Sequence, residues 1–149
     1  MKPIYDWNGE EFSAQCTLTN GNEVFYGFAF AHPTDQDLAN EYTGLHIAEN
    51  RALIKALQHR KNYVLTPGLK SLKHLYYSMK QSTHFNPESY EAKMLNRQIR
   101  QYEDDIEATK QMIAEIKDHL KEYIAGKDSA YKKTRKRMAA QNSTLDETV

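Results

Sequence analysis

One pattern constrains this chain before any other. From Leu95 to Tyr123, nine positions recur at spacings of four, three, four, three without a slip: Leu95, Ile99, Tyr102, Ile106, Thr109, Ile113, Ile116, Leu120 and Tyr123. That is about four heptads, long enough for the seam of a coiled coil to be read from sequence. Glu103, Glu107, Lys110, Glu115 and Lys117 flank it as charges on the edges of such a seam do. After Pro87 neither proline nor glycine occurs until Gly126. The spacing therefore predicts one long helix over residues 87–138, with Asn86 as its cap, Pro87 in the first helical position and Glu88 in the first turn. The nine-residue seam predicts a homo-oligomer, or an antiparallel pairing with the segment Leu69–Met79. Beyond Gly126 the seam fails, and residues 139–149 are expected to be a disordered tail.

The front of the chain has the other period. Phe12, Ala14, Cys16 and Leu18 alternate with polar residues, and after the turn at Asn20-Gly21-Asn22 a second run puts Val24, Tyr26, Phe28 and Phe30 on one face. Two half-buried strands follow from this alternation. A three-residue loop would set Leu18 by Val24, Cys16 by Tyr26, Ala14 by Phe28 and Phe12 by Phe30, which keeps large apolar partners together on the covered face. "PIYDW" supplies a third, edge strand with Tyr5 and Trp7 inward. Thr34 and Asp37 read as a helix start of capping-box type, with Thr43-Gly44 interrupting before the main helix. In that helix Leu45, Ala48, Ala52 and Ala56 share one stripe whose small residues let it lie close on a sheet. Glu49 falls inside the apolar arc and needs a partner such as Arg51, Arg60 or a backbone donor. After "TPG" (Thr66–Gly68), Leu69, Leu72, Tyr76 and Met79 outline a second amphipathic helix.

The fold class expected is α+β: an antiparallel hairpin or three-stranded meander covered by a helix, then a connecting helix, then the long helix. The divisions are a small domain at 1–65, the connecting helix and turn at 66–86, the long helix at 87–138 and the tail at 139–149.

Net charge is zero, but the charges are sorted. Residues 1–50 hold one Lys against eight carboxylates, while residues 51–90 hold seven Lys and Arg against Glu88. Two basic clusters are candidates for contact with a polyanion or a partner. The first is Arg60, Lys61, Lys70, Lys73, Tyr76, Tyr77 and Lys80. The second is Lys132, Lys133, Arg135, Lys136 and Arg137. The single Cys16 excludes an intramolecular disulfide and fits a reducing cytoplasm, and no apolar run approaches the length of a membrane helix.

Catalytic signatures are missing: there is no Gly-rich phosphate loop, no paired cysteines, no H-E-x-x-H and no nucleophile elbow. Glu115, Asp118, His119 and Glu122 share one side of the long helix, and they read as its wet face rather than a metal site. Neither enzyme nor cofactor is expected. A hairpin followed by an Ala-rich helix, Phe12 to Leu57, resembles the second half of a double-stranded-RNA-binding domain. That family grips phosphates with a Lys-rich turn, where this chain has "TGLHIAEN". "HPTDQD" followed by "GLHIAENRALIKAL" resembles small accessory proteins of bacteriophages. This second resemblance implies a non-enzymatic protein that engages a host protein or nucleoprotein complex, including inhibitors of bacterial defence nucleases. The alternatives are a direct nucleic-acid-binding module and a coiled-coil assembly protein.

Overall fold

The computed structural model describes residues 1–147, apart from the side chains of Thr34, Asp37, Leu38 and residues 142–147. It is an α+β structure. Strands β1 (Lys2–Asn8), β2 (Ser13–Asn20) and β3 (Glu23–Phe30) form an antiparallel sheet in the order β1-β2-β3. A 3-10 turn, Pro33–Leu38, precedes α1 (Glu41–Arg60); a π-helical turn, Lys61–Leu65, leads into α2 (Thr66–Lys80), and α3 runs from Tyr90 to Glu147. Two compact units divide the chain: Met1–Leu53 together with the chain from Ile116 onward, and Ile54–Glu115. Those boundaries fall inside α1 and α3, not at the expected limits of 65 and 86.

The third strand forms as expected, with Trp7 opposite Ala14 and Tyr5 opposite Cys16, but of the two residues expected inward Trp7 is half-buried and Tyr5 is 46% exposed. The hairpin differs from the expected register. Asn20 pairs with Glu23, leaving the two-residue loop Gly21-Asn22, and Gly21 sits at φ 63°, in the left-handed region where glycine costs little. Leu18 is therefore opposite Phe25, Cys16 opposite Gly27 and Ala14 opposite Ala29. On β2 the anticipated face is the buried one, with Ala14, Cys16 and Leu18 in the core. On β3 the faces are inverted: Gly27 and Ala29 are buried, and Val24, Tyr26, Phe28 and Phe30 are 40–71% exposed.

The helix supplies the reason. Ala48 and Ala52 are wholly buried, and α1 lies so near the sheet that a Cβ on Gly27 would overlap the Ala48 carbonyl oxygen and the Ala52 amide nitrogen. No aromatic ring fits into that layer. Small residues on both elements let backbone approach backbone, so the large ones must face outward. Glu49, which needed a partner in the apolar arc, finds it in the Tyr5 phenol rather than in Arg51 or Arg60. Burial, then Glu49, push that phenol's pKa up.

Helix starts also differ from expectation. Thr43-Gly44 lie inside α1, whose cap is Asn40: its side-chain oxygen accepts from the Thr43 amide at 2.8 Å. The side chains of Thr34 and Asp37 lie outside the described residues. "TPG" does not break the chain. The π-turn carries the helix through it, and Pro67 falls in the first turn of α2, where its missing N–H costs little. For α3, Asn86 accepts from Glu88 in a turn at 2.9 Å, and Ser89 is the cap, its hydroxyl accepting from Ala92 at 3.3 Å. At the far end the helix continues to Glu147, past the expected limit of 138 and through most of the expected tail. Thr148 and Val149 lie outside the described residues.

The seam of α3 is covered within the single chain. Leu95, Ile99, Thr109, Ile113 and Leu120 are buried, and Tyr102, Ile106, Ile116 and Tyr123 are half-buried. Thr109 tolerates burial because its hydroxyl donates to the Asp105 carbonyl at 2.7 Å. In the unit Ile54–Glu115 a Cβ on Gly68 would collide with the Tyr102 ring. These positions therefore need no second copy to leave water. Among the described residues no helix is long and apolar enough to cross a membrane.

Candidate functional site

The basic residues singled out in the sequence divide into engaged and open ones. In the unit Ile54–Glu115, Lys73 pairs with Glu103 at 3.6 Å, and Lys80 sits 4.9 Å above the Tyr76 ring. The Tyr76 hydroxyl accepts from Asn96 at 3.3 Å, and its ring meets Phe85 edge-on. Tyr76 and Lys80 thus help fasten α2 and its following turn to α3. Arg60, Lys70 and Tyr77 are exposed, and Lys61 is half-buried in the π-turn. Of the second cluster, Arg135 pairs with Asp35 at 3.1 Å, whereas Lys132, Lys133, Lys136 and Arg137 are exposed.

Sequence reasoning missed a different surface, on the unit formed by Met1–Leu53 and the chain from Ile116. Inversion of β3 lays Val24, Tyr26, Phe28 and Phe30 along the outer face of the sheet, with Ile4 of β1 on the same face. The Tyr26 and Phe28 rings stack at 6.2 Å. Monomeric proteins seldom expose a contiguous apolar stripe of this kind without a use for it. The edge of β3 is partly covered by Arg51, which donates to the Phe28 carbonyl at 2.7 Å. The alternation that revealed the stripe was legible, but its direction was not.

Phe30 ends the stripe and turns a corner into a cleft of about 180 Å³. Apolar walls come from Trp7 and Phe12 at the β1–β2 turn, Ala29 and Ala31 on β3 and its exit, Gly44 and Ile47 on α1, and Ile124 on α3. Charged and polar groups of both signs stand around it: His32, Asp35, Asn40, Arg51, Lys127, Asp128 and Tyr131. Phe12 has a φ of 53°, a conformation that costs a bulky residue energy and that is held only where its surroundings insist. They do here: Asn8 accepts from the Glu10 and Glu11 amides, closing the turn, and the Phe12 carbonyl accepts from Ala31 at 3.0 Å.

One polar atom in the wall stands out. Thr43 is 6% exposed, and its hydroxyl faces the Tyr131 phenol. The Tyr131 phenol lies within hydrogen-bonding reach of that hydroxyl, which favours the ionised phenol. Burial dominates and pushes the Tyr131 pKa up, with Asp35, Tyr123 and Asp128 adding to the rise.

A second polar group lies on the same unit. His46 Nε2 and His119 Nε2 are 3.0 Å apart, one donating and the other accepting. Asn50 donates to the His46 carbonyl at 2.8 Å, and the Tyr123 ring tilts against His46 at 4.3 Å. Among the described residues no group of three or more His, Cys, Asp or Glu could hold a metal ion. Cys16 is buried, and burial, then Glu49, raise its thiol pKa, as befits a small core residue. No protein family, curated protein or solved structure matches the chain.

Proposed function

We propose that this is a non-enzymatic binding protein that docks a protein partner on the outer face of its sheet. The observation carrying the reading is β3: a strand that buries Gly27 and Ala29 while leaving Val24, Tyr26, Phe28 and Phe30 40–71% exposed. Aromatic side chains with few rotatable bonds are the groups most often found to anchor protein interfaces. The resemblance to phage accessory proteins makes the partner a host protein or a nucleoprotein complex, met in the cytoplasm and including a defence nuclease.

A second reading, direct binding of nucleic acid, is favoured by the exposed Lys132, Lys133, Lys136 and Arg137. It is weakened by the front of the chain, where eight carboxylates face one Lys over residues 1–50 and repel phosphate.

The experiment is a capture from host lysate run in parallel with the wild type and with a folded Tyr26→Ser, Phe28→Ser, Phe30→Ser variant. The expected result is a protein band that the wild type retains and the variant loses. Equal retention by both would overturn the reading. Tight, salt-sensitive binding of naked DNA or RNA, abolished by replacing the exposed cations with Gln, would favour the second reading instead.

A further inference from the structure

We propose that the outer face of the sheet takes an arginine of the partner, its guanidinium lying against the Phe28 ring and its charge met by Asp6. The inference rests on the reading of this face as protein-docking and names the chemistry of the residue it grips.

The shape of the face comes first. Its register sets three rows: Ile4–Thr17–Tyr26, Asp6–Gln15–Phe28 and Asn8–Ser13–Phe30. The middle strand contributes only Ser13, Gln15 and Thr17, polar and half-buried. Beside them β3 raises a wall of exposed rings, with Tyr26 and Phe28 only 21° from parallel. Asp6 stands across Gln15 from Phe28, two strand spacings or about 10 Å away. A shallow trough therefore runs along β2 with an aromatic side and a carboxylate side.

Charge and hydrogen bonding come second. Gln15 Nε2 donates to Thr17 Oγ1 at 3.3 Å, which leaves the Gln15 carbonyl oxygen as an acceptor on the trough floor. Asp6 is exposed, and among the described residues it pairs with no cation. Glu10 and Glu11, also exposed, follow at the β1–β2 turn. Lys2 is the one Lys or Arg of residues 1–50. It lies four residues along β1 from Asp6, about 13 Å away. This end of the face is thus short of donors and of positive charge.

The choice of cation comes third. A guanidinium has a flat face and five donors, so it can cover a ring, donate to Gln15 and meet Asp6 together. An ammonium supplies charge and donors without the flat face. An apolar side chain supplies neither, and a carboxylate or phosphate is repelled by the surrounding carboxylates. Exposed aromatic rings beside an unpaired carboxylate therefore favour arginine.

The test follows the amide signals of Asp6, Gln15 and Phe28 in the full chain as the peptide acetyl-Leu-Arg-Leu-amide is added. The same peptide carrying Lys, Glu or citrulline, the uncharged isostere of arginine, serves for comparison. The Arg peptide should bind about fivefold tighter than the citrulline peptide, the most one exposed charge pair supplies. It should bind about threefold tighter than the Lys peptide, through the ring. The Glu peptide should not bind, and rising salt should shrink the preference for Arg over citrulline. Asp6→Asn should bring the Arg and citrulline peptides level, and Phe28→Leu should do the same for Arg and Lys, with urea unfolding to show that both variants fold. Equal affinity of the wild type for the Arg and citrulline peptides, or no saturable binding of the Arg peptide, overturns the proposal. So does self-association that Arg137→Gln abolishes, which would place the arginine in a second copy of this chain. The lysate capture reads the docking face as a whole, so a captured partner alongside level peptides sinks the arginine and spares the face.

Discussion

Strand β3 and helix α3 treat their large residues in opposite ways. The helix hides them: Leu95, Ile99, Ile113 and Leu120 are all buried, as the heptad spacing promised. The strand shows them, and hides Gly27 and Ala29. Each element keeps its own period faultlessly in sequence, the helix four-three and the strand two, yet neither period says which face is covered. Period identifies which side chains share a face; the neighbour decides which face is covered. For α3 the covered side is the seam itself, with its large residues inward. For β3 it is a layer of alanines so close that only hydrogen and methyl fit, which inverts the usual preference for large residues inside.

The strongest way to break that comparison is to enlarge the small layer. Gly27→Val would drive side-chain atoms into the α1 backbone, and over-packing of this kind should cost about 3 kcal/mol or more. Phe28→Ala, one residue along on the exposed face, should cost less than about 1 kcal/mol. Urea unfolding of the two variants measures the contrast, and a costlier Phe28 substitution would restore the expected register.

On the helix, Ile113→Ala should cost about 2–5 kcal/mol. Because one chain already covers the seam, the wild type should sediment as a monomer. Replacing Ile106 and Ile113 by Asp should then lower stability without lowering mass. A wild-type dimer that falls to a monomer in this variant would return the seam to its expected role in self-association.

The outer face is sharpened by its own triple variant. Changing Tyr26, Phe28 and Phe30 to Ser should cost about 2 kcal/mol, since Phe30 is 71% exposed but Tyr26 and Phe28 remain more than half covered. It should lower the binding of a dye that reports exposed apolar surface. An unfolded variant would show that the stripe holds the sheet together.

The smallest effect concerns alkali. The Tyr5 and Tyr131 pKa values lie above their ordinary 10.0, in both cases through burial first. The unfolded chain thus loses these protons at lower pH than the folded one. Their contribution is complete below pH 10.0 and disappears as pH rises through the raised folded values. Stability should decline in that window, and Tyr131→Phe should flatten the decline. A wild-type curve unchanged across it would contradict the upward shift of the Tyr131 phenol.

The polar face of α1 shows how a sound demand in sequence can meet the wrong answer. Glu49 visibly needed a partner, but nearby Arg51 turns instead to the Phe28 carbonyl, and the Tyr5 phenol from the edge strand serves Glu49. The same holds for the basic run near the end of α3. Five cations in six positions are plain in sequence, but Arg135 turns to Asp35 in a turn about a hundred residues earlier. Partners distant along the chain leave no local mark.

Sequence by itself determined the class, the three strands, the seam positions of α3 and the small stripe of α1, because each is a local periodicity that the backbone geometry enforces. Tertiary structure alone decided the rest. It set the register of the hairpin, turned the aromatics of β3 outward, buried the seam within one chain, and set the Thr43 hydroxyl against the Tyr131 phenol. Each of those outcomes depends on how closely two distant backbones approach. That distance is set by side-chain volume on both elements at once, and no single stretch of sequence contains it.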